Sequence, residues 1–374
     1  MKFLHLADLH LGKRLNDFSF LEDQVRLLCQ VEEIARSERA DAVLIAGDVY
    51  QKASPQSEAM AAFDQFITRL KEMGLAVFVI SGNHDSAQRI SYFSSLLKNS
   101  GVYVSEAFDG HLQQVTLQDE HGELAVSLLP FLKPIQVRRF YPDEKIETYQ
   151  DAVQAVLRHS PVDTSKRNVL VCHQFITGAE ISDSEEKTVG GLDNIDAAVF
   201  ADFDYVALGH IHKPQQCARE TLRYAGSLMK YSFSEVNQKK SVTVVEMEEK
   251  GEISIRTVPL APPHDMRLVE GLMDDVLAMP YSEDYVWVTL RDELPPPDAR
   301  VTVSTVFPNM MKFSVVNSKT KTDIDVLARE AMENKSPEEL FSDFYRLQNN
   351  DCPPGPRHME ILRSLRKELE GEIR

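Results

Sequence analysis

Five short stretches of this chain gather residue types that hold divalent cations: Asp8-Leu9-His10, Gly47-Asp48, Gly82-Asn83-His84-Asp85, Cys172-His173 and Gly209-His210-Ile211-His212. Carboxylate oxygen, amide oxygen and imidazole nitrogen make a mixed N/O donor set. Such a set suits Mn²⁺, Fe²⁺ or Zn²⁺ better than Ca²⁺ or an iron–sulfur cluster. The chemistry it offers is hydrolysis at a metal centre. Cys172 should point to the opposite face of its strand from His173 and reads as buried packing. His5 reads as core. His111, His121, His159, His264 and His358 lie outside every stretch and read as surface residues.

To act together, these residues must be carried to one place. Each stretch begins where an apolar run ends: Lys2–Ala7, Ala42–Ala46, Ala76–Ile80, Asn168–Val171 and Tyr205–Leu208. Runs of that length read as buried strands. Polar residues at the carboxyl ends of such strands converge on one rim of an α/β sheet, where ligands bind. Gly47 and Gly82 would give the tight turns room. Between the strands, Phe20–Arg36, Ser57–Met73, Ile90–Asn99 and Tyr149–His159 carry helical patterns. Gln113–Leu117 and Ala125–Pro130 read as a hairpin, and Leu222–Ala225, Ser241–Met247 and Ile253–Val258 as a β-meander.

The ordered series D-x-H, G-D, G-N-H-D, a lone His after a strand, and G-H-x-H resembles the calcineurin-like metallophosphoesterases. One such motif alone is weak, but five in order, each after a strand, are specific. A denser similarity runs from Phe3-Leu4-His5-Leu6-Ala7-Asp8 through His173–Glu180, Ser182–Glu185 and Gly190–Asp193 to Phe203–His212 and Tyr224–Ser227. There the chain resembles the SbcD family, nuclease subunits of a bacterial DNA-repair complex related to the archaeal and eukaryotic Mre nucleases.

That resemblance implies a four-layer α/β/β/α sandwich with a small α+β capping domain and C-terminal helices. By matching motif positions, it gives Asp8, His10, Asp48 and His212 to one metal, and Asp48, Asn83, His173 and His210 to a second. Asp48 then bridges, since a carboxylate can serve two cations about 3.5–4 Å apart. The implied ions are two Mn²⁺, with Mg²⁺ or Fe²⁺ as substitutes. Paired cations acidify a water and stabilise the attacking and leaving oxygens at phosphorus. His84, beside ligand Asn83, would face the scissile phosphate, and Asp85 would orient His84 or its turn. The relatives place a second His just after Gly-Asp, where this chain has Val49-Tyr50-Gln51. That puts more weight on His84.

The implied activity is exonuclease on double-stranded ends and endonuclease on single strands or hairpins, in repair, recombination and replication. A small-molecule or cyclic-nucleotide phosphodiesterase would share every ligand, and a non-catalytic scaffold would need none of them. No G-x-x-x-x-G-K-[S/T] loop is present, so ATP dependence would come from an SbcC-like ATPase. A homodimer within a heterotetramer is implied only by resemblance.

The boundaries read as 1–260 for the nuclease domain, 264–330 for the cap and 335–374 for partner-docking helices. Pro262-Pro263 marks the linker, and the cap should open with a helix over Leu268–Met279. In the tail, Ser336-Pro337-Glu338-Glu339 is a helix start. Leu340, Phe341 and Phe344 follow, then a proline-rich break, then Leu362, Leu365 and Leu369 along one stripe. Such stripes pack on their own domain or fill a partner's groove; the groove is the preferred reading, and the resemblance implies that it is the base of a partner coiled coil.

Composition bounds the rest. The 374 residues are 43% hydrophobic and 26% charged, as in ordinary globular proteins. No apolar run reaches the roughly eighteen residues a membrane span needs. The opening strand carries no signal-peptide pattern, and four scattered cysteines suit a reducing cytosol; the resemblance implies work at the nucleoid. A net charge of −17 is unlike a general nucleic-acid binder. Local basic segments are Lys13-Arg14, Lys133, Arg138-Arg139 and Lys239-Lys240. Lys13, Arg14, Arg138 and Arg139 are the candidate DNA contacts, and a partner would supply much of the remaining surface.

Overall fold

The computed structural model describes residues 1–185, 194–317, 337–348 and 353–371. The readings of Gly190–Asp193 and of Ser336 as an N-cap fall outside these. In chain order the strands are β1 Lys2–Leu6, β2 Arg14–Leu15, β3 Phe18–Ser19, β4 Ala42–Ala46, β5 Ala76–Ile80 and β6 Val102–Val104. Next come β7 Gln113–Asp119, β8 Gly122–Leu129, β9 Arg167–His173, β10 Tyr205–Gly209, β11 Gln215–Cys217 and β12 Arg219–Tyr224. The last are β13 Ser241–Met247, β14 Ile253–Pro259, β15 Met266–Gly271, β16 Tyr285–Leu290 and β17 Met310–Val315.

Two six-stranded sheets result, in the orders β14-β13-β1-β4-β5-β6 and β11-β12-β10-β9-β8-β7. Strands β1, β4, β5 and β6 run parallel, as do β8, β9, β10 and β12, so their carboxyl ends leave each sheet on one edge. Both faces of the central strands are covered, which is why their sequences are nearly continuous apolar runs. In β1, Phe3 and the following Ala7 join a core between the sheets with Leu44, Phe78, Val126, Val169 and Ala207. Leu4 and Leu6 face the other way, into a core with Leu27, Leu28 and Val31 of the Leu21–Glu38 helix. A third cluster packs the Tyr149–His159 helix on the far face of the second sheet. The four layers α/β/β/α follow. Fully burying one such apolar side chain is worth about 1.5–3 kcal/mol, so the inter-sheet core alone fixes the two sheets face to face.

Three local readings are corrected. Met266–Gly271 is a strand, and only Met273–Leu277 is helical, so Leu268–Met279 is not one helix. The apolar spacing there fits a helix, but ladder pairing of Met266 to Tyr285 through Gly271 to Leu290 overrides the local pattern. The meander is also divided. β12 pairs parallel with β10 in the second sheet, whereas the β13–β14 hairpin joins β1 in the first. Strand periodicity does not say which sheet a strand enters. Ile90–Asn99 breaks into helices Ala87–Ile90 and Ser94–Leu97 and a 3-10 turn, with Phe93 in the left-handed region between them.

Strands β15, β16 and β17 form a parallel sheet with its own core of Val269, Val276, Val286, Val288 and Phe307. It docks on the larger unit through Met266, Tyr285 and Met311, with Asp23 accepting from His264 Nδ1 at 2.8 Å and from Tyr285 Oη at 3.0 Å. His264, read as a surface residue, is therefore an interface residue. The Pro337–Gln348 and Pro356–Gly371 helices meet through Tyr345 and His358, whose rings lie 4.9 Å apart. Among the described residues neither helix has a buried side chain. Leu340, Phe341 and Leu362 are half-buried, and Phe344 and Ile361 are exposed. The side chains of Leu365 and Leu369 lie outside the description. No described helix is long and apolar enough to cross a membrane.

Candidate metal centre

Five strand ends deliver the site. β1 runs out into Asp8 and His10, β4 into Asp48, β5 into Asn83, β9 ends on His173, and β10 runs out into His210 and His212. The backbone there is bent hard. Asp8, His10, Asp48 and His210 have φ of 53°, 44°, 50° and 102°. Non-glycine residues in that region cost of order 1–3 kcal/mol each and persist only where the surroundings fix them. Here the fixing bonds are visible. Asp8 N donates to Gly47 O at 3.1 Å, His10 N to Asp48 O at 2.9 Å, and His210 N to Asp8 Oδ1 at 3.0 Å.

Three glycines lie against this cluster. A Cβ on Gly82 would stand 2.1 Å from Asp48 Oδ1, and one on Gly209 would stand 1.8 Å from Ala46 O. Gly47 both adopts φ 84° and would put a Cβ 2.4 Å from His173 Nδ1. The need at Gly82 is therefore close approach; only Gly47 also has the turn conformation expected of both.

The donor atoms converge. His10 Nε2 lies 3.1 Å from His212 Nε2 and 3.6 Å from Asp48 Oδ2. His173 Nε2 lies 3.5 Å from the same Asp48 oxygen and 3.0 Å from Asn83 Oδ1, which is 3.1 Å from His210 Nδ1. Asp8 completes a compact group with His10 and His212, and another with Asp48 and His173. Neighbouring ligands around a cation at about 2.1 Å from each should be spaced by roughly 3.0–3.4 Å, so the residues fit divalent ions. A third group joins Asp48 to His10 and His84, so Asp48 is shared between the His10 and His173 sides of the site.

Electrostatics favour a cation there as well. Burial pushes the Asp8 carboxyl up, to about 6. Burial opposes ionisation of Asp48 too, but His173, His10 and His84 hold it well below the usual carboxylate range. Burial would depress His173, yet the Asp48 charge raises it to about 9. Burial pushes His210 down to about 3 and His10 well below its ordinary value, leaving neutral imidazoles that can donate lone pairs. The pocket draws in positive charge.

Tautomers are set from behind. His173 Nδ1–H donates to Ala46 O at 2.7 Å, which leaves Nε2 for the site. Ser184 Oγ donates to Glu235 Oε1 at 2.6 Å and so accepts from His212 Nδ1–H at 2.8 Å, again freeing Nε2. Lys240 Nζ, buried, donates to Glu235 Oε2 at 2.6 Å and to His212 O at 2.8 Å. Glu185 Oε1 accepts from His212 N at 2.8 Å. Burial would raise Glu235, but His212 and Lys240 hold it well below the usual carboxylate range.

Residues 1–214 match the family described as calcineurin-like phosphoesterase, and residues 262–349 match one described as Type 5 capsule protein repressor C-terminal domain. The chain is 33% identical over 324 residues to the SbcD component of nuclease SbcCD from Staphylococcus epidermidis, covering 84% of this chain and 86% of that protein. The chain belongs to the SbcD family. A second SbcD-family protein, the corresponding SbcCD nuclease component of Staphylococcus saprophyticus, is 33% identical over 319 residues, with 83% of this chain and 84% of that one covered. Family membership makes this chain a metallophosphoesterase, a metal-dependent hydrolase of phosphate esters, with a cluster for divalent ions. A dimetal phosphatase from Danio rerio overlays with a TM-score of 0.39 at 10% identity, over 69% of this chain and 95% of that one.

Other expected residues of this SbcD-family chain divide. His84 stands at the rim: its Nδ1 lies 3.2 Å from Gln51 O and its Nε2 4.0 Å from Asp48 Oδ2. Gln51 thus meets His84 through its backbone carbonyl. Asp85 accepts from the backbone N–H groups of Gly82, Val49 and Tyr50, which makes it the clamp on the two turns. Burial and the Asp48 charge push its carboxyl up to about 6. Lys13 lies over the Tyr231 ring at 5.1 Å, close to the site. Arg139 lines the cleft that opens at Asn83. Arg14 is exposed beside the Gln51–Lys52 turn, and Arg138 Nε is bonded to Ile146 O at 3.0 Å. Lys240, from an expected basic segment, is buried behind His212 and offers DNA nothing. Glu235 lies outside every motif, Ser184 and Glu185 carry the family resemblance without a role of their own, Gly209 belongs to the G-H-x-H motif, and Lys240 reads from sequence only as a basic residue. What each does for His212 or His173 arises across the fold, which the spacing does not show.

Proposed function

We propose that this chain is the nuclease subunit of an SbcCD-like complex. In this reading Asp8, His10, Asp48 and His212 hold one divalent ion, and Asp48, Asn83, His173 and His210 hold the other. Asp48, whose Oδ2 lies 3.6 Å from His10 Nε2 and 3.5 Å from His173 Nε2, is the observation that carries it, because a carboxylate so placed would be shared by the two ion sites. Mn²⁺ is the ion we favour, from the mixed N/O set. Bound cations there supply Lewis acidity to a phosphodiester and acidify a water. The protein's own part is to keep His10 and His210 neutral, to hold His173 and His212 in the correct tautomer, and to place His84 where a leaving oxygen needs a proton.

The substrates are duplex ends, single strands and hairpins. The unit over 264–330 caps the site, and Leu340, Phe341, Phe344, Leu362, Leu365 and Leu369 dock an SbcC-like ATPase. The exposed apolar side chains Met60, Tyr92, Phe93 and Leu96 support a homodimer within the assembly. Lys13 and Arg139 are the basic residues best placed for DNA.

The test is purified protein with Mn²⁺, Mg²⁺ or Fe²⁺, offered a labelled DNA hairpin, a blunt duplex and bis(p-nitrophenyl) phosphate. Cleavage of the hairpin, lost in Asp48→Ala together with Mn²⁺ binding, supports the reading. Hydrolysis of the small diester with intact DNA would replace it by a small-molecule phosphodiesterase. Asp48→Ala binding two ions with near-normal affinity would refute the bridge.

A further inference from the structure

A cleft of about 520 Å³ opens directly at Gly82, Asn83 and Asp85 and runs between Phe131 and Phe140. Lys133 and Arg139 line it, and both are exposed. Phe140 is 43% exposed and stands edge-on to Phe108, with ring centroids 5.2 Å apart. Phe131 lies parallel to the His210 ring, 6.3 Å from it at 21°. A second cavity of about 430 Å³ continues the path, sharing Ala107, Phe108 and Pro130 with the first. On its wall Ser105 is 1% exposed and its Oγ has no hydrogen-bond partner.

These features point to one kind of ligand. Basic side chains between aromatic faces recognise an unpaired nucleic-acid strand: the cations meet phosphates and the rings stack on bases. A paired duplex keeps its base faces stacked and has none to offer a phenylalanine. The second cavity is mixed in charge, with Glu106 and Asp109 on its wall beside Lys98, His111 and Gln113. Carboxylates repel a phosphate but accept from the amino groups of base edges. The cavity is therefore a base pocket.

Resting on the nuclease reading above, we infer that this two-part groove holds the strand flanking the scissile phosphate in single-stranded form. Phe131 and Phe140 stack its bases, Lys133 and Arg139 take its phosphates, and Glu106 and Asp109 meet a base edge beyond Phe108. A duplex end would then have to be opened over the length of the groove before its phosphate reaches the metal centre.

The full chain with Mn²⁺ would be assayed on single-stranded oligonucleotides carrying 2-aminopurine at successive positions from the cut. Stacking on Phe140 quenches the fluorescence at positions on one side of the cut only. Phe140→Ala should abolish that quench and raise KM for single-strand cleavage roughly 5- to 100-fold, the cost of a lost base–aromatic stack. Arg139→Ala should lower the salt slope of binding by about one. A melting curve for each variant reports folding, and both changed side chains are at the surface. Unquenched probe at every position, or unchanged KM in Phe140→Ala, overturns the groove. A wild-type enzyme that hydrolyses bis(p-nitrophenyl) phosphate but no DNA overturns the nuclease reading itself, which separates the two failures.

Discussion

At the rim of the ligand cluster, the two nitrogens of His84 face different neighbours. Nδ1 is anchored on Gln51 O, and Nε2 looks toward the Asp48 side of the site. Replacement by Gln should therefore leave both ions bound and slow phosphodiester cleavage by roughly 10²–10⁴-fold, the range for a lost acid–base group. Metal content by mass spectrometry, measured beside the rate, checks this; a parallel loss of metal would make His84 a ligand. Ser184 sits one bond further back. Without its hydroxyl, His212 loses the acceptor that fixes its tautomer, so Ser184→Ala should weaken one of two Mn²⁺ sites by roughly 10–100-fold. Isothermal titration should then separate a weak from a strong site, and Ser184→Thr, which retains the hydroxyl, should restore the pair. Equal affinities in Ser184→Ala would leave the network a purely packing role.

At the scale of elements, Arg167 begins β9 and reaches both sheets. Its guanidinium bonds Asp119 at the end of β7 at 2.5 and 3.0 Å and Glu248 O just past β13 at 2.9 Å, while the N-terminal ammonium meets Asp119 at 3.0 Å. Arg167 and the N-terminus hold the Asp119 carboxyl well below its ordinary range. A depressed carboxyl contributes stability above its unfolded value, near pH 4, and loses it as the pH falls further. Arg167→Met should thus lower the melting temperature at pH 7, and the difference from wild type should shrink below about pH 4. A gap that stayed constant to pH 2 would contradict the assignment.

The strands that carry ligands were legible in sequence. Ala42–Ala46 and Ala76–Ile80 are predicted and found with the same bounds, because strands covered on both faces leave an uninterrupted apolar signature. Met266–Gly271 was not legible, since its partner Tyr285–Leu290 lies across a helix and only the ladder decides its state. Nor was the ring of groups behind His212. Ser184, Glu235 and Lys240 meet it only after β10 and the segment before β13 have folded together.

At the scale of the molecule, a two-sheet body carries a docked parallel sheet, and the pair of tail helices has no fully buried side chain among the described residues. Truncation before Lys335 should spare Mn²⁺ binding and single-strand cleavage while abolishing association with an ATPase partner. Burying each of the apolar tail side chains in a partner's groove would be worth about 1.5–3 kcal/mol, enough to outweigh the ordering of two short helices. Co-purification beside a melting curve decides. A retained partner with a melting temperature lowered by several degrees would make the tail part of the core.

The division of ligands between the two sheets has one more consequence. Asp8, His10, Asp48 and Asn83 follow strands of the first sheet, whereas His173, His210 and His212 belong to the second. In the assignment proposed above, each ion takes donors from both, so each is a rivet through the sandwich as well as a Lewis acid. Occupancy then couples to cohesion by mass action: an ion at one hundred times its Kd adds about 2.7 kcal/mol to the folded state. On that assignment, stripping the ions should loosen the two sheets from each other and lower the melting temperature of the protein.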